Sequence, residues 1–509
     1  MPSHARARLV AASVGLALLL PAGAAGAATT AGSVEGSPGS RGIGDPYYAD
    51  YGNGGYDVEH YNIQDSYVPR TDRLRGTTWI RARTTQALSR FDLDFVLPVR
   101  SVHVNDQPAT FRQGEHELVV TPSRPLREGQ AMTVRVTYSG VPSKVRSEGA
   151  SPWIRTADGA VAAGKPEIAA WWYPSNDHPR DKATYDVRVT VAKRLEAVGN
   201  GILVSHRARR GHRTWHWRES DPMAPYLAFF VVGQLDITRT RVDGVPVVTA
   251  VAPGGRREGR YAAAAIARTP EVVAFGSREL GRYPFGSMGG VAPAVGSRFA
   301  VESQTRPVYA RGLWRGGPSV YPVVHAIAHQ WFGASVSLDT WRDVWLSEGF
   351  ASYLEWRWSE RHGEGTGRQL FEAAWDDHAA DRAFWRTAVG DPGPHHESDV
   401  AVLDRGAMTL QALRTRIGGP AFFSVLRAWA TQHRHDAAST ADFVALAEEE
   451  SGEDLGSFFD AWIYARQRPA TTEANGFPRG FDARPARPAP ASWAQISRTH
   501  RALAGLEAR

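Results

Sequence analysis

From residue 46 to about 251 apolar and polar residues alternate in short runs. Examples are Thr77-Thr78-Trp79-Ile80-Arg81-Ala82, Met132-Thr133-Val134-Arg135-Val136-Thr137-Tyr138 and Tyr185-Asp186-Val187-Arg188-Val189-Thr190-Val191. A period of two sends every second side chain to one face, the mark of a half-buried strand. Asn105-Asp106 and Ser139-Gly140 fall between the runs as turns. After residue 252 the apolar spacing changes to three and four, and helices are expected over 261–280, 322–333, 341–358, 368–388, 407–417, 421–433 and 440–451. Tyr283-Pro284-Phe285-Gly286 breaks the pattern, and Asp339 or Thr340 is an expected N-cap for the helix at 341–358. The expected class is α+β and multidomain, an N-terminal antiparallel β-sandwich followed by a mainly helical domain.

The ends read differently. Basic residues at His4, Arg6 and Arg8 precede the apolar run 9–20, and Ala25-Gly26-Ala27 offers a small-residue cleavage site. This predicts a secretory signal peptide over 1–27 and an extracellular protein. The run is shorter than the ~20 residues that span a bilayer, so no membrane anchor is expected. Residues 28–45 read as a flexible Gly/Ser/Thr linker. Residues 469–509, rich in Pro, Arg and Ala, read as a loosely ordered tail. The intervening domains are set at 46–251 and 252–468.

Composition narrows the classes. With no Cys the chain has no disulfides and must rest on core burial, for which its 17 Trp are well suited. The net charge of +6 is scattered and accompanies no nucleic-acid module, so no nucleic-acid partner is expected. Nothing in the sequence sets an oligomeric state.

The chemistry gathers in Val323-Val324-His325-Ala326-Ile327-Ala328-His329-Gln330-Trp331-Phe332-Gly333. Residues four apart on a helix share a face, so His325 and His329 can reach one ion. Glu348, on the next expected helix, can supply a third ligand, and two His with one carboxylate is a catalytic zinc set. A bare pair is weak evidence, because a chain with 17 His carries about 0.6 such pairs by chance. A second pair, His212 and His216, lies in an alternating run, where i and i+4 would be roughly 13 Å apart.

The surroundings decide it. The flanks His329-Gln330-Trp331-Phe332-Gly333 and Trp345-Leu346-Ser347-Glu348-Gly349-Phe350-Ala351-Ser352-Tyr353, with eighteen residues between His329 and Glu348, closely resemble the M1 family of zinc aminopeptidases. Phe299-Ala300-Val301-Glu302-Ser303-Gln304 looks like the family's G-A-M-E-N loop. The resemblance implies a saddle-like N-terminal sandwich, a thermolysin-like peptidase domain and a Zn2+ cofactor on His325, His329 and Glu348. It implies peptide or protein amino termini as partners, with Glu302 and Ala300 as substrate-binding residues. The loop from Trp171 to Pro179 would run near the cleft, although an aromatic cluster of this kind is first of all packing.

Two positions depart from the family. Ala326 stands where the family has its general-base Glu, and Leu403, in Val402-Leu403-Asp404-Arg405-Gly406-Ala407, stands where it has the oxyanion-stabilising Tyr. Neither a methyl nor an isobutyl group can do these jobs. Proton transfer is worth ~10²–10⁴ in rate and one oxyanion donor about 10²–10³. The expectation is a zinc- and peptide-binding homologue with impaired catalysis. The alternatives are an enzyme that uses a substitute base, with Glu302 as its carboxylate, and a scaffold in which zinc staples two helices.

Overall fold

The computed structural model describes residues 35–147, 151–254, 257–481 and 488–505. The expected signal peptide and residues 28–34 of the linker lie outside them.

The alternating runs form the strands they predict. The largest sheet has eight, in the order Ile202–Arg209, His212–Met223, Ala183–Ala192, Tyr56–Val68, Arg73–Thr84, Ala131–Gly140, Val99–Val104 and Gln107–Pro108. All its neighbours are antiparallel except Ala183–Ala192 with Tyr56–Val68. One face is buried, and Tyr67, Trp153 and Phe230 stack edge to face between it and the sheet holding Phe230–Gly233. Trp171, Trp172 and Tyr173 are fully buried, so that loop is packing. His212 and His216 share a strand as expected, and His216 turns to Asp186.

Residues 35–45 depart from the flexible linker expected there. Ser37–Pro38 pairs with strand Leu88–Asp94. Asp45 accepts from the backbone of Tyr47, Tyr48 and Trp341. The glycines that suggested a linker are needed for close approach, since a Cβ on Gly36 would lie 2.5 Å from the Leu88 carbonyl carbon.

Strands Asp236–Val242 and Val245–Val251 join Met288–Ala292, Val308–Tyr309 and Ala300–Val301 in one mixed sheet, so the boundary read at residue 251 falls inside it. The helices follow: α1 (Arg257–Ile266), α2 (Thr269–Leu280), α3 (Tyr321–Ala328), α4 (Trp345–Arg361), α5 (Gly367–Asp377), α6 (Arg382–Arg386), α7 (Val400–Ile417), α8 (Gly419–Gln432), α9 (Thr440–Ser451), α10 (Gly456–Phe459) and α11 (Ala491–Ala504). The helix expected over 261–280 is split, with Pro270 in the first turn of α2. The one expected over 368–388 also divides, and Asp381 caps α6. α7 begins at Val400, seven residues before the expected start. Neither Asp339 nor Thr340 caps α4: Thr340 precedes a short 3₁₀ turn at Trp341–Asp343, and Val344 leads into the helix.

The largest correction is at the C-terminus. α11 is a docked helix where a loose tail was expected. Trp493, Ile496, His500 and Leu503 are all buried at helical spacing. Trp493 Nε1 donates to Asp377 (2.6 Å), and Ser492 and Ser359 hydroxyls lie 2.9 Å apart. The Pro-, Arg- and Ala-rich stretch before α11 hid this stripe. No described helix is long and apolar enough to cross a membrane.

Candidate metal centre

Every residue of α3 is buried, and its lipophilic face of Val323, Val324 and Ile327 fixes the rotation of His325. The helix ends at Ala328, five residues before the expected Gly333. His329 still keeps helical angles (φ −58°, ψ −18°), so the i, i+4 relation survives. Beyond it the chain turns sharply through Gly333 at φ +114°, where a Cβ would lie 2.4 Å from Ser347 Oγ. This brings the first turn of α4, with Glu348, back against α3. Gly349 of α4 meets Gly406 of α7 with no room for a side chain, a Cβ on Gly349 falling 2.8 Å from the Gly406 Cα.

The result is a three-donor cluster. His325 Nε2 and His329 Nε2 are 3.2 Å apart, and Glu348 Oε2 lies 3.3 and 3.6 Å from them. Tetrahedral ligands at ~2.0–2.1 Å from a shared ion are roughly 3.4 Å apart, so these donors fit a zinc-sized cation. The outer nitrogens agree. His329 Nδ1 is 2.9 Å from Ser347 Oγ and 3.2 Å from the Phe332 carbonyl oxygen, and a proton there leaves Nε2 free to ligate. His325 Nδ1 faces Glu355 Oε2 at 3.6 Å.

Glu355 begins a buried relay that sequence reading missed. Its Oε2 lies 2.5 Å from His500 Nε2; His500 Nδ1 bonds Asp404, and Asp404 Oδ2 lies 2.8 Å from His378 Nε2. Burial alone would lower the pKa of His500, but Glu355 and Asp404 outweigh it and push it up to about 10. Burial would raise Asp404, yet His500 and His378 hold it down at about 2. The relay is a chain of paired charges between α11 and the helices of the cluster.

Lys165 was also missed. It comes from a loop of the β domain, contacts Glu348 Oε1 directly and lies 3.4 Å from Glu302 Oε1. Burial favours the neutral acid at Glu348, but Lys165 and His329 prevail and keep it ionised. A lone Lys before Pro166 has no sequence pattern to announce it. Gln330, the residue after His329, pins the opposite loop: its Oε1 accepts from Thr305 N–H (2.7 Å), and its Nε2 donates to the Glu302 carbonyl (3.3 Å).

Ala300, Glu302 and Ala326 line the same cavity as the three donors and Lys165, and Ser398 and Leu503 complete it. Leu403 is fully buried in the core outside that lining. The cavity is partly open to solvent and has about 10 Å³ free for water-sized occupants, room for one ion or water. Leu503 of α11 and Lys165 form part of its wall.

Two family models match, the peptidase M1 N-terminal domain over residues 58–227 and the peptidase family M1 domain over 319–462. Aminopeptidase M1 of Arabidopsis thaliana is 26% identical over 340 residues, covering 62% of this chain and 37% of the relative. Glutamyl aminopeptidase of Bos taurus is 24% identical over 326 residues, covering 60% and 34%. The chain thus spans about a third of the length of the curated relatives it matches. The M1 zinc metallopeptidase of Deinococcus radiodurans superposes with a TM-score of 0.75 at 27% identity, over 84% of this chain and 99% of that one. A glutamate-to-alanine variant of that enzyme, bound to a Tyr-Ser-Ala substrate, superposes with a TM-score of 0.74 at 28% identity over the same shares.

Proposed function

We propose that this chain, which carries the N-terminal and peptidase domains of family M1, is an exported zinc-binding aminopeptidase homologue. It recognises peptide amino termini and hydrolyses them poorly. The observation that carries the reading is Ala326, which lines the cavity beside three intact metal donors. His325, His329 and Glu348 would hold the zinc, which when bound supplies a Lewis acid for a substrate carbonyl and a site that acidifies water.

The chain's own residues do the rest. Glu302 anchors the substrate ammonium by a charge-assisted hydrogen bond. Lys165 already pairs with it, so a peptide enters only as Lys165 yields. Leu503 lines the same cavity, so a substrate side chain packs against it or displaces it. Ala326 has no atom to take a proton from water, and Leu403 has none to donate to a developing oxyanion. The likeness in fold to a metallopeptidase variant that holds Tyr-Ser-Ala supports peptide binding.

The substitute-base reading has one observation in its favour: Glu302 is the cavity-lining carboxylate outside the metal set. Its pairing with Lys165 and its place as the amine anchor weigh against it.

Calorimetric titration of the zinc-loaded chain with a tripeptide bearing a free or an acetylated amino terminus tests the recognition. A preference for the free amine of about tenfold or more is expected, close to 1.4 kcal/mol. Equal affinities would remove amine recognition from the account. Export is checked by the mass of the protein recovered from culture medium, which should begin at Ala28; an intact chain retained in the cells contradicts it.

A further inference from the structure

We propose that Asp94, His116 and Glu117 form a second site for a divalent transition cation, in the β domain and separate from the peptidase cavity. Their donor atoms all lie within 4.8 Å of one another, as they do in the first cluster. His116 Nδ1 is 3.4 Å from Asp94 Oδ1 and 3.8 Å from Glu117 Oε1. Asp94 is fully buried and Glu117 is 3% exposed.

The hydrogen bonds show where the site points. Asp94 Oδ2 is used, accepting from the Asp177 N–H (2.7 Å) and weakly from Asn53 Nδ2 (3.4 Å). His116 Nε2 is used as well, 2.6 Å from Glu167 Oε2. No hydrogen bond reaches Asp94 Oδ1, either oxygen of Glu117 or His116 Nδ1, and Asp94 Oδ1 and Glu117 Oε1 both face His116 Nδ1. A ring nitrogen that donates outward to a carboxylate while the other faces two free carboxylates is the usual support of a metal-bound histidine. The Tyr51 ring stacks on the imidazole at 5.1 Å and 11°, which fixes its plane.

Charge argues the same way. The carboxylates of Asp177 and Glu167 lie close enough to act on Asp94. The rival occupant is a proton on His116 Nδ1. At 3.4 and 3.8 Å that proton makes ion pairs rather than full hydrogen bonds and brings one positive charge to several buried acids. A divalent ion satisfies all three inward atoms at once. Two carboxylates with an imidazole suit Zn2+ or Mn2+ better than Ca2+ or Mg2+, which prefer all-oxygen shells.

The site would tie the end of strand Leu88–Asp94 and the start of strand Glu117–Thr121 to the segment bearing Glu167 and Asp177. That segment also carries Lys165 into the peptidase cavity.

The test is metal content of the full chain by mass spectrometry after stripping and dialysis against Zn2+ or Mn2+. It is run on the natural protein, on His329→Ala, on Glu117→Gln and on the double variant. About two equivalents are expected for the natural chain, about one for each single variant and none for the double. Natural-level metal in Glu117→Gln, or none in His329→Ala, would overturn the proposal. Should Glu117→Gln fail to fold by circular dichroism, His116→Gln replaces it. Thermal denaturation reads the same question independently: Mn2+ should raise the Tm of His329→Ala and leave that of His329→Ala/Glu117→Gln unmoved. Equal shifts in both reject the site.

Discussion

His325, His329 and Glu348 come from one helix and the first turn of the next, whereas Asp94, His116 and Glu117 come from two strands and the bend before one of them. The first cluster is legible because a helix converts a separation of four residues into proximity. In the second, Asp94 is far from the other two along the chain, and neighbours in a regular strand would point to opposite faces. His116 and Glu117 face one spot because His116 sits in the bend before the strand begins. The supports differ too. His325 leans on Glu355 and, through it, on a fully buried imidazolium at His500, while His116 leans on Glu167 and a stacked Tyr51. A cluster locked into helical packing announces itself in sequence and in stability alike; one built on strand ends announces itself in neither.

The strongest way to break this contrast is His500→Ala. It strips Glu355 and Asp404 of the cation between them, at an expected cost of about 3–5 kcal/mol in urea unfolding. A loss under about 1 kcal/mol would contradict the relay. The pH dependence has a definite sign. His500, raised from 6.5 to about 10, contributes stability that is fully present below pH 6.5 and lost as pH rises through 10. Asp404, lowered from 3.8 to about 2, contributes above pH 3.8 and loses it as pH falls through 2. The penalty of His500→Ala should therefore be greatest between these two unfolded values and shrink toward pH 10.

The equivalent change in the strand-built cluster is milder. Glu167→Gln removes the carboxylate behind His116, and metal affinity there should fall about 10–100-fold, with zinc at the first cluster unaffected. Dialysis of His329→Ala with and without the change reads this directly, and unchanged affinity would separate Glu167 from the site. The smallest effect joins the two regions. Lys165→Met releases Glu302, so free-amine peptides should bind about tenfold tighter by calorimetry and acetylated ones no differently. Equal gains for both peptides would mean that Lys165 only blocks the cavity.

Much of the fold could be read from periodicity. Strands such as Arg73–Thr84 and Ala131–Gly140 bury alternate residues where the pattern alternates, and α9 has the expected limits. Helix ends were less legible, because Pro270 and the turn after His329 act through local backbone geometry. α11 escaped because composition masked its stripe of Trp493, Ile496, His500 and Leu503. The sequence pattern singled out His325, His329, Glu348, Glu302 and Ala326, and the fold gathers all five around one cavity. Lys165, Leu503 and Ser398 arrive from distant segments and carry no local signature.

The most direct test is hydrolysis of aminoacyl fluorogenic amides by the zinc-loaded natural chain and by Ala326→Glu, alone and with Leu403→Tyr. Since Leu403 is a core residue outside the cavity lining, its replacement by Tyr also risks about 1–3 kcal/mol of overpacking, which makes the single variant the cleaner arm. The account predicts that Ala326→Glu exceeds the natural chain by about 10²–10⁴ in kcat/KM. A natural chain as fast as the variant would contradict it and show that another group already takes the proton.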